Sequence, residues 1–523
     1  MVSTKSFFKS VRKYFREYCD LSTIHGMKYI GENRTTVERG WWLTVFLFSV
    51  TCCFYLIYLV YEKWDSSPVI ISLANEETPI YQIPFPAVTI CPLVKSFSYN
   101  QTAIRSKLFF AQPLSKTEHK SFSYMNFICD HVPYAWFDIK IGNFSVYENF
   151  FNKEEFYNFI HNITTNKYFL DCRWQNQDFY CNNFFDTILT DDGVCHSFNL
   201  LSPKKIYKDN VQNYFFDRTN SKIYNESSSW SLDRGFSHDK GSDTYPRREP
   251  FSGAINGLEV MLYMDYPLRD IYCKSSWTFE GYKVILHTPS TVPRPNQEHF
   301  YLPPNTAVIA AIKPVVVNTS EKVKSFRPEK RNCYFENENP LKYFKDYTQK
   351  NCELDCLTRH TLHLCGCVAF YMPMDSFTPL CGTGKNECMK AAKKRMLSKE
   401  LKWRLENADD DQELPHCHCL PSCRDLSYEV ETSSSSINSN PDSKFPRSRL
   451  VIYFKKNHFI ASIRHELYGI TDFISNFGGL LGLFTGFSML SFIEIIYFLT
   501  VRLFYNFRLY GQWSGKKDEE SNL

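Results

Sequence analysis

The sequence predicts an α+β membrane protein, with two transmembrane helices flanking a large, disulfide-rich, mixed α/β extracellular domain. Three observations carry that reading. Two runs of 21 uncharged residues, Trp41–Tyr61 and Phe473–Ile493, lie near the two ends of the 523-residue chain. Basic residues gather on the outer flank of each run. Of 19 cysteines, three (Cys19, Cys52 and Cys53) precede or lie within the first run, which leaves 16 for the region between.

Each run is long enough to cross a hydrocarbon layer of about 30 Å as a helix rising about 1.5 Å per residue. The first is not a signal peptide, because forty mostly polar residues precede it and no small-residue cleavage site follows. The second continues apolar past Glu494 to Val501, longer than an ordinary buried helix. Residues 1–40 carry Lys5, Lys9, Arg12, Lys13, Arg16, Lys28, Arg34 and Arg39 against four acids, and Arg502, Arg508, Lys516 and Lys517 follow the second span. Basic flanks favour the cytoplasm, so both termini are expected inside a plasma membrane. The predicted organisation is a cytoplasmic segment 1–40, a first transmembrane helix 41–61, an extracellular domain 62–472, a second transmembrane helix 473–501 and a cytoplasmic tail 502–523.

Composition excludes other classes. With 60 basic against 56 acidic residues, the charge marks no nucleic-acid partner. No G-x-S-x-G, H-E-x-x-H or phosphate-binding glycine loop occurs, so the chain does not read as an enzyme. An even number of external cysteines suits complete pairing in an oxidising compartment. Asn100, Asn143, Asn162, Asn225 and Asn318 each begin N-x-S/T in the same region and are glycosylation candidates.

Within the exterior, Val69–Leu73 and Ile80–Cys91 read as β-rich pieces punctuated by Pro79, Pro84 and Pro86. A helix is expected around Tyr147–Ile163 from the spacing of Phe150, Phe151, Phe156, Phe159 and Ile160. Residues 204–250 are polar and charged and read as a long loop or insertion. Strands follow at Leu258–Met264, Tyr282–His287 and Ala307–Val317. A cysteine-dense module occupies 340–425, with an exposed helix over Lys385–Asn407. A low-complexity turn at 433–443 links strands near Asp425–Thr432 and Leu450–Phe454. In that module Cys352 and Cys356 stand at helical spacing, sharing a face. A reversed cluster, Cys417, Cys419 and Cys423, could run beside them as a disulfide ladder. His416 and His418 raise a zinc reading, but structural zinc prefers C-x2-4-C pairs and a reducing compartment. Spacing alone leaves the pairing open.

The second run carries F-G-G-x-x-G-L-F-x-G-F-S-x-L-S-x-x-E, from Phe477 to Glu494. Glycines at x3 spacing also serve ordinary helix packing. The whole string resembles the pore signature of the epithelial sodium channel/degenerin/acid-sensing channel family. Other landmarks fall in the family's order: His25-Gly26, the segment Phe85 to Cys91 (FPAVTIC), the segment Gly193 to Asn199 (GVCHSFN), and the cysteine module, which is similar to the family's thumb. The charged insertion and the G-F-S variant look most like the insect pickpocket branch.

The resemblance implies a trimeric, amiloride-sensitive, sodium-selective channel with no cofactor, homo- or heteromeric, gated by ligand, acid or force in sensory or epithelial cells. The alternatives weighed are a non-conducting two-span receptor, an accessory subunit, and an ATP-gated receptor, which would lack this string. The implied disulfides are Cys91–Cys195, Cys172–Cys181, Cys333–Cys423, Cys352–Cys419, Cys356–Cys417, Cys365–Cys388 and Cys367–Cys381, leaving Cys129 with Cys273. The selectivity filter would be Gly486, Phe487 and Ser488, with Phe487 turned away from the lumen. Ser475 matches the degenerin position, with Asn476 beside it at the outer gate. Gly479 matches the position tied to amiloride block. Glu494 would add an acid near the inner end, and His25 and Gly26 would form a gating pair.

Overall fold

The computed structural model describes residues 4–66, 69–95, 103–104, 106–107, 110, 112–130, 148–163, 168–212, 230–236, 244–264, 279–406, 416–437, 446–467 and 469–510. The chain divides into two compact units, residues 1–70 with 465–523, and residues 71–464.

The larger unit is mixed α and β. Its main sheet has eight strands. At the centre, Thr306–Thr319 pairs antiparallel with Asp425–Ser436 and parallel with Arg447–Phe454. Leu258–Tyr263 then lies antiparallel between Arg447–Phe454 and Phe169–Trp174, so that Val260 faces Leu450 on one side and Cys172 on the other. Alternation along this strand is what buries Leu258, Val260 and Leu262 completely. A second sheet of five strands is built on Ala87–Pro92, Gly193–Phe198 and Tyr282–His287. Phe85 joins the sheets. Fully buried, it meets Trp174, Phe198 and Phe454 edge-on at 4.8, 6.2 and 5.6 Å between ring centroids.

Two of the sequence landmarks are one structural piece. Val88 pairs with Phe198, and Cys91 is bonded to Cys195. Asn199 adopts the left-handed region at φ 62°, where a short polar side chain is tolerated. Its amide donates to Phe85 O at 2.6 Å, and its carbonyl oxygen accepts from Arg247 N at 2.6 Å.

The cysteine module is built on the helix Gln349–Cys365, which Thr348 caps by accepting from Asn351 N, and which stops at Gly366 with φ 72°. Disulfides Cys352–Cys419 and Cys356–Cys417 tie one face of that helix to the 417–419 segment. Cys365–Cys388 ties its end to the helix Asn386–Glu406, Cys367–Cys381 ties the residues just after it to the strand Leu380–Cys381, and Cys333–Cys423 closes the base. Cys172–Cys181 lies in the main sheet. Cys129 is disulfide-bonded; the expected pair with Cys273 lies outside the described residues.

Four local expectations change. The helix expected over 147–163 begins at Lys153, because Phe150 and Phe151 pair as strand with Leu380 and Cys381. The β-rich piece Ile80–Cys91 is strand only in its second half: a 3-10 turn at Ile80–Gln82 precedes the strand Ala87–Pro92, since Pro84 and Pro86 have no N–H for a ladder. Ser433–Ser436 are strand instead of turn, each paired across to Thr306–Ile309, and pairing outweighs serine's weak β preference. The insertion is partly built in: Trp230–Ser231 pairs with Gly235–Phe236, and Thr244 and Glu249 are buried.

In the smaller unit, the helix Thr36–Ser66 and the continuous stretch Met489–Leu509 are each long and apolar enough to cross a membrane. A helix Thr4–Leu21 and a short helix Met27–Gly31 precede the first of them.

Candidate functional site

The expected second span is not a single helix. Ile470–Thr485 is helical and starts with Asp472 accepting a hydrogen bond from Gly469 N at 3.0 Å. The helix ends where Gly486 turns to φ 65°, ψ 14°, with its N–H bonded to Gly482 O at 2.9 Å. Only glycine occupies that region without steric cost. Ser488 then caps the next helix, Met489–Tyr497: its hydroxyl accepts from Ser491 N at 3.2 Å, and Ser488 N donates to Ser491 Oγ at 3.2 Å. Below it the helix widens into a π turn at Phe498–Arg502 before Leu503–Tyr510.

Breaking a helix inside an apolar run frees backbone carbonyls, each costing several kcal/mol in hydrocarbon unless something satisfies it. Two are answered from the N-terminal half of the chain. Ser49 Oγ donates to Phe484 O at 2.7 Å, and His25 N donates to Thr485 O at 2.9 Å. Among the described residues no hydrogen bond reaches the carbonyls of Gly486 or Phe487.

The His25-Gly26 pair therefore sits directly against the break. A Cβ placed on Gly486 would lie 1.5 Å from His25 Nδ1. Gly26, at φ 88°, turns the chain into the helix Met27–Gly31. Just before the pair, Thr23 Oγ1 lies 2.7 Å from Ser491 Oγ and donates to Glu494 Oε2 at 3.0 Å, with Thr23 N at 3.3 Å from the same oxygen. Further along, Tyr14 OH donates to Phe498 O at 2.5 Å, Tyr18 packs edge-on against Phe498, and Arg502 pairs with Glu17. The N-terminal segment thus runs alongside the helix after the break, bonded to it at three levels.

Of the residues singled out in the sequence, His25, Gly486 and Glu494 come together here, with Gly26 completing the turn. Phe487 is half-buried and Ser488 exposed. Ser475, Asn476 and Gly479 stand apart on the exposed surface of Ile470–Thr485, and a Cβ on Gly478 or Gly479 would meet nothing within 4 Å. Thr23, Ser49 and Ser491 were not singled out. Ser491 lies inside the quoted string, and Thr23 lies two residues before the His-Gly pair. Nothing marks Ser49 among the hydroxyls of its apolar run.

Of the glycosylation candidates, Asn162 and Asn318 are exposed, and Asn100, Asn143 and Asn225 lie outside the described residues. His416 Nε2 lies 3.3 Å from His418 Nδ1, and Trp403 stacks on His416. Cys356, His360 and Cys417 converge within 4.8 Å, but the two sulfurs are bonded to each other, so neither is a thiolate ligand.

The model of the family described as "Amiloride-sensitive sodium channel" matches residues 18–498. The chain is 30% identical over 504 residues to Pickpocket protein 28 of Drosophila melanogaster, covering 93% of this chain and 78% of that protein. It is 25% identical to the Sodium channel protein Nach of the same fly, covering 95% and 89%, and 21% identical to the human Bile acid-sensitive ion channel, covering 94% and 87%.

Proposed function

The chain belongs to the amiloride-sensitive sodium channel family, making it a two-span sodium channel chain of the epithelial/degenerin type and not an enzyme, and from that premise we propose that three such subunits, identical or related, line one sodium-selective pore. Two spanning segments cannot enclose a conduction path, so an assembly is required. The broken helix lines it. Both termini lie in the cytoplasm, the cysteine-rich unit faces outward, and amiloride blocks from outside at the level of Gly479. Ligand, acid or force opens the gate.

The observation that carries this reading is the pair of unanswered carbonyls at Gly486 and Phe487. A permeant cation needs oxygens in place of its hydration shell, and carbonyls released at a helix break supply them. Ser488 adds a hydroxyl at the same level. The side chain of Phe487 stays against protein, leaving its carbonyl to the ion path. Glu494 and its copies raise the local cation concentration below the filter. Gly478 and Gly479, with open space over their Cα atoms, leave room for neighbouring subunits at the outer gate with Ser475 and Asn476.

Voltage clamp of cells expressing the chain, alone and with related subunits, tests the reading. An inward, amiloride-sensitive sodium current that Ser475→Val enlarges is expected. Absence of current in every subunit combination, with the protein at the surface, overturns it in favour of a non-conducting receptor.

A further inference from the structure

An exposed sequon and a cavity meet in the larger unit. Asn318 begins N-T-S and stands exposed near the end of the strand Thr306–Thr319. It also lines a cavity of about 260 Å³ between the main sheet and the turn 230–236 of the insertion. Both sides are fixed. Asn318 pairs with Ile463, and the hydroxyl of Thr319 beside it donates to Cys423 O at 2.5 Å. Strand neighbours point to opposite faces, so with Thr319 buried, Asn318 projects from the other face, where Val316 lines the same cavity. Across from them, Trp230 and Ser231 pair with Phe236 and Gly235, and Arg234 N donates to Ser231 Oγ at 3.2 Å.

The cavity has two kinds of wall. Its floor is apolar, with Trp230, Leu426, Phe459 and Ala461 each at most 8% exposed. Its rim is polar: Gln82, Arg234 and Asp425 are exposed beside Asn318, and Thr78 and Arg424 are half-buried. A pyranose has the matching surface, with C–H groups over its faces and hydroxyl and acetamide groups round its edge. Aromatic rings suit the faces, and amide, carboxylate, hydroxyl and guanidinium groups suit the edge. The space far exceeds the share of one water, about 30 Å³ in the liquid. It lies just under the small-ligand range, which starts at about 300 Å³.

We propose that Asn318 carries an N-linked glycan whose first N-acetylglucosamine sits in this cavity, its C–H face against Trp230 and Phe459 and its polar edge at the rim, so that the sugar joins the insertion turn to the main sheet. In the transfer, the Asn318 amide nitrogen bonds to the anomeric carbon of an oligosaccharide carried on a lipid diphosphate. The bond from that carbon to the diphosphate breaks, and the amide proton passes to a base of the transferase. Transfer acts on the extended chain, which then folds around the sugar. Once attached, the sugar is held at the cavity at an effective concentration of order millimolar, so weak contacts suffice to seat it. The inference rests on the outward placement of this unit, since only an external segment meets that transferase.

The test uses the full-length protein made in mammalian cells, purified in detergent and treated with peptide N-glycosidase F before and after denaturation. The enzyme converts each released asparagine to aspartate, which mass spectrometry reads site by site. Asn318 is expected to be occupied, with native release at least about tenfold slower than after denaturation, the equivalent of 1.4 kcal/mol of local opening. Asn162, exposed on the helix Lys153–Ile163, shows no such protection. Trp230→Ala removes part of the floor and speeds native release at Asn318 severalfold. Asn318→Gln keeps the fold and leaves the turn loose, so trypsin cuts after Arg234 severalfold faster. Native release at Asn318 as fast as after denaturation overturns the proposal, as does unchanged trypsin cleavage in Asn318→Gln. Sugar on other sequons with none on Asn318 overturns this inference alone, whereas sugar on none of them overturns the outward placement as well.

Discussion

The two units of this molecule hold their key positions by different means. In the larger unit seven disulfides join described residues, five of them within 333–423, and the cysteine ladder fixes one helix to its neighbours covalently. In the smaller unit Cys19, Cys52 and Cys53 are free, and the helix break and the helix after it are met by hydrogen bonds from Ser49, His25 and Thr23. A bond of that kind contributes about 1 kcal/mol, whereas a disulfide closing a long loop contributes several. The difference suits the two tasks. In the proposed channel, a domain facing an oxidising exterior would keep its shape through covalent cross-links, while a gate would be reset by energies of a few kcal/mol.

The contrast fails if the larger unit tolerates losing its staples. Replacing Cys333 and Cys423 by serine removes a bridge that, with Cys352–Cys419 still in place, closes a loop of about 25 residues, worth about 3–4 kcal/mol in the chain-entropy account. The expected outcome is loss of surface protein, read by surface biotinylation.

Gly486→Ala is next in size. It adds left-handed strain of about 1–2 kcal/mol to an overlap with the His25 ring. We expect whole-cell current to fall at least about tenfold, the equivalent of 1.4 kcal/mol, at unchanged surface protein. Normal current would show that the break is not the conduction path.

Thr23→Val sharpens the comparison from the other side. It removes both side-chain bonds to Ser491 and Glu494, at about 1 kcal/mol each. A severalfold change in open probability is expected in single-channel records, with the melting temperature of the larger unit unmoved. Treatment with a reductant should do the reverse.

The remaining prediction concerns pH. Glu249 is fully buried, with one oxygen accepting from Phe454 N at 3.3 Å and the other unpartnered. Burial pushes its carboxyl up to about 8. A raised acid pKa means that the folded state holds a proton the unfolded chain has released, so stability declines as pH rises from about 4.5 towards 8. The slope is at most about 1.4 kcal/mol per pH unit. Glu249→Gln should flatten it in melting curves taken across that range.

Much of this was legible in the residues because the signals are local or compositional. The first apolar run follows from its hydrophobic length, the strand Leu258–Tyr263 from its alternation, and the helix at 386–406 from its composition. Phe150 and Phe151 read as helix because aromatic spacing is ambiguous over short stretches, and only Leu380 and Cys381, 230 residues away, make them a strand. The serines at 433–436 were illegible for the same reason. Their ladder partner, Thr306–Ile309, is distant in the chain.

By itself the sequence determined where the chain can enter a membrane and that the region between its two apolar runs would be cross-linked, since these depend on hydrophobic length and cysteine number. The tertiary structure decided that the second run breaks at Gly486 and what answers that break. Thr23, His25 and Ser49 lie more than 400 positions from their partners, and a hydroxyl or amide gives no sign in sequence of which distant carbonyl or carboxylate it will meet.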